Sequence, residues 1–284
     1  MRCEYEGRSH TSMIDRKKIK QLQKTVWEYY NTHGRHSLPW RKTKNPYHIL
    51  VSEVMLQQTQ VARVIPKYRV FLKRFPTLQS LAVAPLRDVL VAWQGLGYNR
   101  RAQALHKLAG VVVQEYKGRI PTAYEILLEL PGIGPYTASA VSAFAYNAPL
   151  PMVETNIRTV FFYHLFTNQE KVSDTELLEV SRVLLDSKRP REWYWALMDY
   201  GAYLKGQGVR SNMKSKHYTP QSIFKGSDRE VRGAIVCALS TTESATLNKL
   251  VATTKIKKDR IQKQIQKLHD EGLIQKKRGR WLLP

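Results

Sequence analysis

Leu130-Pro131-Gly132-Ile133-Gly134-Pro135-Tyr136-Thr137-Ala138 joins two stretches of helical periodicity, and its composition decides what kind of link it is. Gly132 and Gly134 remove the side chains that would hold an anion away from the backbone, and Pro135 falls where a helix begins. Backbone N–H groups at that helix start can then face a phosphate, whatever base sequence the nucleic acid carries. Taken alone, the stretch reads more readily as an ordinary glycine-stabilised link between two helices. The rest of the chain chooses between the two.

The 284 residues are 43% hydrophobic, enough for a substantial core. Lys and Arg number 46 against 23 Asp and Glu, a net charge of +23 with a pI near 10.0. Such a field attracts a polyanion rather than a small acidic molecule. No apolar run reaches the ~20 residues of a spanning helix and no signal peptide opens the chain, so the expected location is cytoplasmic and DNA-associated, without a membrane partner. Cys3 and Cys237 lie far apart, which excludes a disulfide framework and a four-thiolate metal or iron–sulfur site. The eight His residues show no metal-ligand spacing, so no metal is expected beyond a monovalent cation at the hairpin.

Residues 1–15 carry no hydrophobic period and are expected to be flexible. Ile19, Leu22, Val26, Trp27 and Tyr30 then repeat at helical spacing, with Gly34 as a stop. Asn45 and Pro46 form a cap and first position for a helix over Ile49–Thr59. Further helical runs cover Leu78–Trp93, Arg101–Glu115, Ala123–Leu130, Pro135–Tyr146, Asn156–Phe166 and Thr175–Asp186, and little reads as strand. Between Lys205 and Lys225 hydrophobic residues thin out, as in a linker. Beyond it, Arg229–Leu239, Ala245–Thr253 and Asp259–Glu271 form three helical patterns. Leu273-Ile274 and Trp281-Leu282-Leu283 then flank a Lys277-Arg278-Gly279-Arg280 turn, the pattern of a winged helix over residues 225–284. Lys258, Arg260, Lys263 and Lys267 on its third helix, and Lys276, Lys277, Arg278 and Arg280 on its wing, suit phosphate contact, although a charged solvated face on a protein-binding winged helix has the same composition.

Ser52-Glu53-Val54-Met55-Leu56-Gln57-Gln58-Thr59-Gln60-Val61, with Leu38-Pro39-Trp40 and Pro46-Tyr47 before it, resembles the signature of MutY-type adenine DNA glycosylases of the helix-hairpin-helix, endonuclease III-like superfamily. Trp93-Gln94-Gly95-Leu96-Gly97-Tyr98 and the Leu130–Ala138 hairpin match in the same order, and the resemblance spans about Leu38 to Ala202. By pattern alone Glu53 is a carboxylate on the polar face of a helix, beside Ser52 and Gln57. The resemblance implies that Glu53 protonates the adenine leaving group. The chemistry agrees, because a purine leaves deoxyribose badly as an anion and a carboxyl group at N7 makes it neutral. The sugar acquires oxocarbenium character and calls for a second carboxylate. Glu154, in Pro151-Met152-Val153-Glu154-Thr155-Asn156-Ile157-Arg158, matches the segment where the family carries an aspartate, with Asn156 as its helper. The glutamate is a departure: one extra methylene displaces the carboxylate by about an ångström unless the backbone compensates, and such a misplacement can cost ~100-fold in rate.

Tyr136 stands where bifunctional relatives carry a nucleophilic lysine, which implies water as the nucleophile and a monofunctional enzyme. A base inside a duplex must be flipped out before Glu53 can reach it. The resemblance places Gln58 and Tyr98 against the DNA stack and the opposing base. Gln57, Thr59, Leu96, Pro131, Gly132, Ile133, Gly134, Tyr136 and Arg158 complete the expected DNA contacts, while Asp199 falls at a structural landmark. Two departures matter. The four cysteines that hold the family's iron–sulfur cluster are absent after Ala202, and Lys205, Arg210, Lys214, Lys216 and His217 are candidates to replace it as a basic loop. A Nudix-like C-terminal domain that helps recognise 8-oxoguanine is replaced by the winged helix.

The expectation is therefore an all-α, two-lobed helix-hairpin-helix DNA glycosylase fold over residues 16–220 with a small C-terminal winged helix. As a monomer it would act on double-stranded DNA holding a mismatch or lesion, removing adenine opposite 8-oxoguanine or guanine. The same scaffold admits excision of thymine or uracil opposite guanine, or of hypoxanthine. A non-catalytic winged-helix regulator is the rival from another class, and Glu53 beside Gln57-Gln58-Thr59 argues against it.

Overall fold

The computed structural model describes residues 16–167, 169, 171–216 and 223–284, and the expected flexible N-terminus and His217 lie outside them. Among the described residues the regular elements are helices apart from one short two-stranded sheet, and they form two compact units: residues 16–44 with 134–216, and residues 45–133 with 223–284. No described helix is long and apolar enough to cross a membrane.

The first unit is built on α1 (Arg16–His33), α8 (Pro135–Tyr146), α9 (Thr155–His164), α10 (Asp174–Leu184) and α11 (Pro190–Gly206). Leu22, Val26 and Tyr30 bury one stripe of α1, and Gly34 closes it with its N–H on the Tyr30 carbonyl at 2.9 Å. The α11 helix was not legible as a helical run, yet Trp193, Tyr194, Leu197, Tyr200 and Leu204 are all buried along it. Asp199 is buried on α11 and accepts from Arg41 Nη1 at 2.6 Å and Nη2 at 2.8 Å, and from Arg35 N at 2.8 Å and Nε at 2.6 Å. Burial alone would raise this carboxyl, but the hydrogen bonds and charge of Arg41, then Arg35, hold it below its ordinary value. The bidentate pair ties the segment around the 3₁₀ turn Pro39–Arg41 to α11, as expected of a structural residue.

The second unit contains α2 (Pro46–Leu56), α3 (Val61–Arg74), α4 (Leu78–Ala82), α5 (Leu86–Ala92), α6 (Arg100–Glu115) and α7 (Tyr124–Glu129). Asn45 caps α2, its Oδ1 accepting from Tyr47 N at 2.9 Å and His48 N at 3.3 Å. The single helix expected over Leu78–Trp93 is two helices, because Pro85 lacks an N–H and keeps the preceding residue out of the helical region. The α3 helix was missed for a related reason: Pro66 lies inside it and Lys and Arg dilute the stripe of Val64, Tyr68 and Phe71.

The C-terminal elements α12 (Asp228–Ser240), α13 (Leu247–Thr254), α14 (Lys258–Asp270), β1 (Gln275–Lys277) and β2 (Arg280–Leu282) form the winged helix. The strands are antiparallel with Lys276 opposite Trp281, and they are shifted toward the turn: buried Leu273 and Ile274 precede β1, while Lys277 and Arg280, expected in the turn, are in the strands. The winged helix is not isolated. It packs on α5 and α6 of the same unit: Arg87 Nη2 donates to Thr242 O at 3.0 Å, Gln103 Nε2 to Glu271 O at 2.9 Å, and Arg100 and Arg232 both pair with Glu271. Nor is Lys205–Lys225 a linker throughout, since residues 205–216 finish α11 and form a 3₁₀ turn (Ser211–Lys214) on α9.

Candidate active site

Sequence placed Glu53 on a polar helix face, but α2 is buried on nearly every side. Ser52 is fully buried and Glu53 is 5% exposed, between Val51, Val54 and Met55, which are buried hydrophobic residues. A solvated helix carboxylate would not sit there. The helix stops at Leu56, three residues short of expectation, and Arg101 from α6 explains the stop. Its Nη1 donates to the carbonyls of Val54 at 2.8 Å, Met55 at 3.0 Å and Gln57 at 2.5 Å. Its Nη2 donates to Thr59 Oγ1 and to the carbonyls of Leu96 and Gly97, all at 3.1 Å. One guanidinium thus satisfies the orphan carbonyls at the end of α2 and ties that end to the Gly95–Tyr98 loop. Burial lowers its pKa to about 10, with the neighbouring Tyr98 opposing, so it stays a cation at neutral pH.

Gln58 and Tyr98, the residues expected against DNA, sit at φ 52° and 49°. A non-glycine residue in the left-handed region costs ~1 kcal/mol or more and persists where surrounding structure demands it. Here the Arg101 bonds and a 3.1 Å bond from Trp93 Nε1 to Gly97 O make that demand. Arg101 also lies over the Trp93 and Tyr98 rings, 5.6 and 5.4 Å from their centroids. Sequence reasoning missed Arg101, although it follows the Gly97-Tyr98 motif by three residues. Leu96 and Thr59 are corrected in part. The Leu96 side chain is buried and only its carbonyl takes part, while Thr59 spends its hydroxyl on Arg101 and on the Gln57 and Leu96 carbonyls. Leu96 thus takes part through its carbonyl, and Thr59 ties the two loops together through its hydroxyl.

Pro131, Gly132 and Ile133 lie beside these turns and share with Val54, Gln57 and Arg101 the lining of a hollow of about 220 Å³. Gly132 has φ 79°, and a Cβ there would come within 2.6 Å of the Ala104 Cβ, so glycine is required twice over. Ile133 is buried, its N–H on the Leu130 carbonyl at 3.1 Å.

In the first unit, Gly134 caps α8 with exposed backbone, Pro135 takes its first position, and Tyr136 is half-buried. Glu154 caps α9: Oε1 accepts from Asn156 N at 2.7 Å and Ile157 N at 3.0 Å, and Oε2 from Asn156 Nδ2 at 3.2 Å. Asn156 Oδ1 in turn accepts from Lys205 Nζ at 2.8 Å. Desolvation raises the Glu154 carboxyl above its ordinary value, against the pull of these N–H donors and of Lys205. The extra methylene of glutamate is taken up by folding the side chain back onto its own helix start, where the dipole favours a negative charge. Gly201 was also missed as a positioning residue. A Cβ there would come within 2.2 Å of the Asn156 carbonyl oxygen, so only glycine lets α11 approach α9 at this residue.

Arg158, expected at DNA, is engaged within the unit. Its Nη1 donates to Asp174 and to Ser215 Oγ at 2.9 Å, because the start of α10 places a carboxylate within reach. The segment after Ala202 does not fit an iron–sulfur cluster. It lacks cysteine, and protein contacts hold it: Lys214 Nζ donates to Phe166 O at 3.2 Å and Thr167 O at 2.6 Å, and Val172 N and O bond Lys214 O and Lys216 N, each at 3.1 Å. Lys205 and Lys214 are thereby used as internal donors.

Residues 51–182 match the family described as HhH-GPD superfamily base excision DNA repair protein. The chain is 37% identical over 181 residues to an adenine DNA glycosylase of Buchnera aphidicola subsp. Baizongia pistaciae, covering 63% of this chain and 52% of that one. It is 37% identical over 225 residues to an adenine DNA glycosylase of Mycolicibacterium smegmatis, covering 73% and 76%. It thus spans about half the length of the first relative and about three-quarters of the second. Among solved structures it is similar to a thermostable thymine-DNA glycosylase, at a TM-score of 0.59 and 30% identity, covering 66% of this chain and 87% of that one. With the buried Glu53, the strained Gln58 and Tyr98 turns and the glycine hairpin in the family's order, the chain belongs to the adenine DNA glycosylases of the HhH-GPD base excision repair superfamily.

Proposed function

We propose that this protein hydrolyses the N-glycosidic bond of adenine mispaired with 8-oxoguanine or guanine in double-stranded DNA, leaving the strand uncut. The observation that carries the reading is the burial of Glu53 at 5% exposure on an apolar helix, beside the Gln57-Gln58 turn that Arg101 locks to Tyr98. A carboxyl group withdrawn from water there is suited to protonate the departing base, as the resemblance implies for this position. Glu154, steadied by Asn156, stabilises positive charge on the sugar, and its several donors favour the ionised form that this role needs. Tyr136 supplies no amine, so water completes the reaction. The protein acts as a DNA-associated monomer in the cytoplasm, and its own residues supply the chemistry without an iron–sulfur cluster.

Likeness to a thymine-DNA glycosylase at 30% identity supports a second reading, excision of thymine or uracil opposite guanine. Single-turnover base release separates the two. Duplexes carrying adenine opposite 8-oxoguanine or guanine should release adenine, and duplexes with thymine or uracil opposite guanine should stay intact. Release of the pyrimidine alone overturns the adenine assignment, and release from none overturns the enzyme.

A further inference from the structure

Helix α3 starts at Val61, directly after the Gln57–Gln60 segment, and carries five cations and no acid: Arg63, Lys67, Arg69, Lys73 and Arg74. Val64, Tyr68 and Phe71 turn one side of it into the core. The cations occupy two rows on the other side. Arg63 and Lys67, one turn apart, line up with Arg74, while Arg69 and Lys73 form the second row, with Pro66 and Val70 between the two. Arg63, Arg69 and Lys73 are exposed and Lys67 is half-buried. Like charges four residues apart repel along a helix, so the arrangement is unfavourable to the protein alone. Arg74 offsets part of this by pairing with Asp88 at 3.1 Å. Among the described residues no ion pair involves Arg63, Lys67, Arg69 or Lys73.

Gly95 joins this face to the site. A Cβ on that glycine, whose φ is 89°, would lie 3.3 Å from Lys67 Cε and 3.6 Å from Nζ, so the ammonium rests against the turn that leads to Tyr98. A face of this kind attracts a polyanion such as duplex DNA, or an acidic protein. A protein interface is built around a desolvated apolar centre, commonly aromatic, and the one large hydrophobic residue that α3 exposes is Val70. Cations one turn apart are separated by about 6 Å along the axis, which lets each side chain reach its own phosphate on a duplex backbone. The absence of an apolar centre and the continuity with the Gly95 turn favour DNA.

We propose that the exposed side of α3 is a phosphate-binding face for the duplex that flanks the excised base. Arg63 and Lys67 take the phosphates beside the Gly95 turn, and Arg69 and Lys73 extend the grip outward. These contacts are made to the backbone and ask nothing of the base sequence. They relieve the repulsion among the cations of α3, which the protein by itself leaves uncompensated. The inference goes beyond the glycosylase reading, since it needs duplex DNA as the partner but not adenine as the base.

The test is equilibrium binding of the full chain to a long undamaged duplex over a series of salt concentrations. Two double variants probe the face, Arg63→Gln with Lys67→Gln and Arg69→Gln with Lys73→Gln. A third, Lys18→Gln with Lys188→Gln, removes the same charge from exposed positions of the other unit. Each α3 pair should make the slope of log K against log salt shallower by about two and weaken binding about tenfold to a hundredfold near 0.1 M salt. The third pair should leave the slope in place. Thermal midpoints, which should hold or rise as repulsion is relieved, show that the variants are folded. An unmoved slope in folded α3 variants overturns the proposal, and so does an equal loss in the third pair, which would make the effect one of net charge alone. Loss of binding to a polyglutamate peptide with the DNA slope unmoved also overturns it, by assigning the face to an acidic protein. Adenine release by the wild type from cleavable duplexes keeps the two readings apart: its failure sinks the glycosylase and leaves the α3 slopes standing, and unmoved slopes with release intact sink only the α3 face.

Discussion

Glu53 and Glu154 are the same residue type, and their surroundings differ in kind. Glu53 lies in the body of α2, flanked by buried Val51, Val54 and Met55, and its place is fixed by the packing of a whole helix. Glu154 lies at a helix start and takes its position from local hydrogen bonds, three of them within the turn it caps. Burial raises the Glu154 carboxyl against the pull of its N–H donors and of Lys205, so both carboxyls are drawn out of water and differ in how each is held.

The sharpest way to break this comparison is Glu53→Gln. Single-turnover adenine release should fall by about 10²–10⁴-fold while duplex binding persists, the range for loss of a general acid. Undiminished release removes Glu53 from the chemistry. Arg101→Ala should come next, because it strips six hydrogen bonds from the two turns beside Glu53. We expect a loss of about 2–4 kcal/mol in urea denaturation and about 100-fold in rate, as buried carbonyls lose their donor and Tyr98 its support. A stable, fully active variant would mean that the turns hold themselves.

On the Glu154 side the effects should be smaller. Gly201→Ala drives a methyl group against the Asn156 backbone and should cost about 1–3 kcal/mol, read from the shift in the thermal midpoint. Glu154→Asp keeps the helix cap and restores the residue type that the family resemblance leads one to expect. Its rate should stay within about tenfold of wild type, whereas a loss beyond about 100-fold would show a site built around the longer side chain. The smallest effect should come from Lys205→Gln. The ammonium lowers the Glu154 pKa, so without it the carboxylate takes up its proton at higher pH. The acid limb of the single-turnover pH profile should therefore move upward, and an unmoved limb would uncouple Lys205 from Glu154.

Much of the helical order was legible because amphipathic stripes and caps are local. The Asn45 cap, the Gly34 stop and the Pro135 start all appear where their residues predict. Helix α3 escaped because Pro66 and dense positive charge blur a stripe that becomes visible only once it is buried. The site divides in the same way. Glu53, Gln58, Tyr98 and Glu154 could be named from their motifs. Arg101 and Gly201 could not, since each acts through partners distant in the chain. The ion pair of Arg158 and the burial of the Leu96 side chain were not legible, because side-chain engagement and burial are not local properties.

The amino-acid sequence by itself determined the partner class, the helical architecture and the absence of cysteines for a cluster, because charge, periodicity and residue type are additive along a chain. Tertiary structure alone decided that Glu53 is withdrawn from water, that one arginine holds two strained turns, and that the winged helix belongs to the unit carrying Glu53. Those properties depend on which distant groups exclude solvent or supply hydrogen bonds, and no local pattern encodes them.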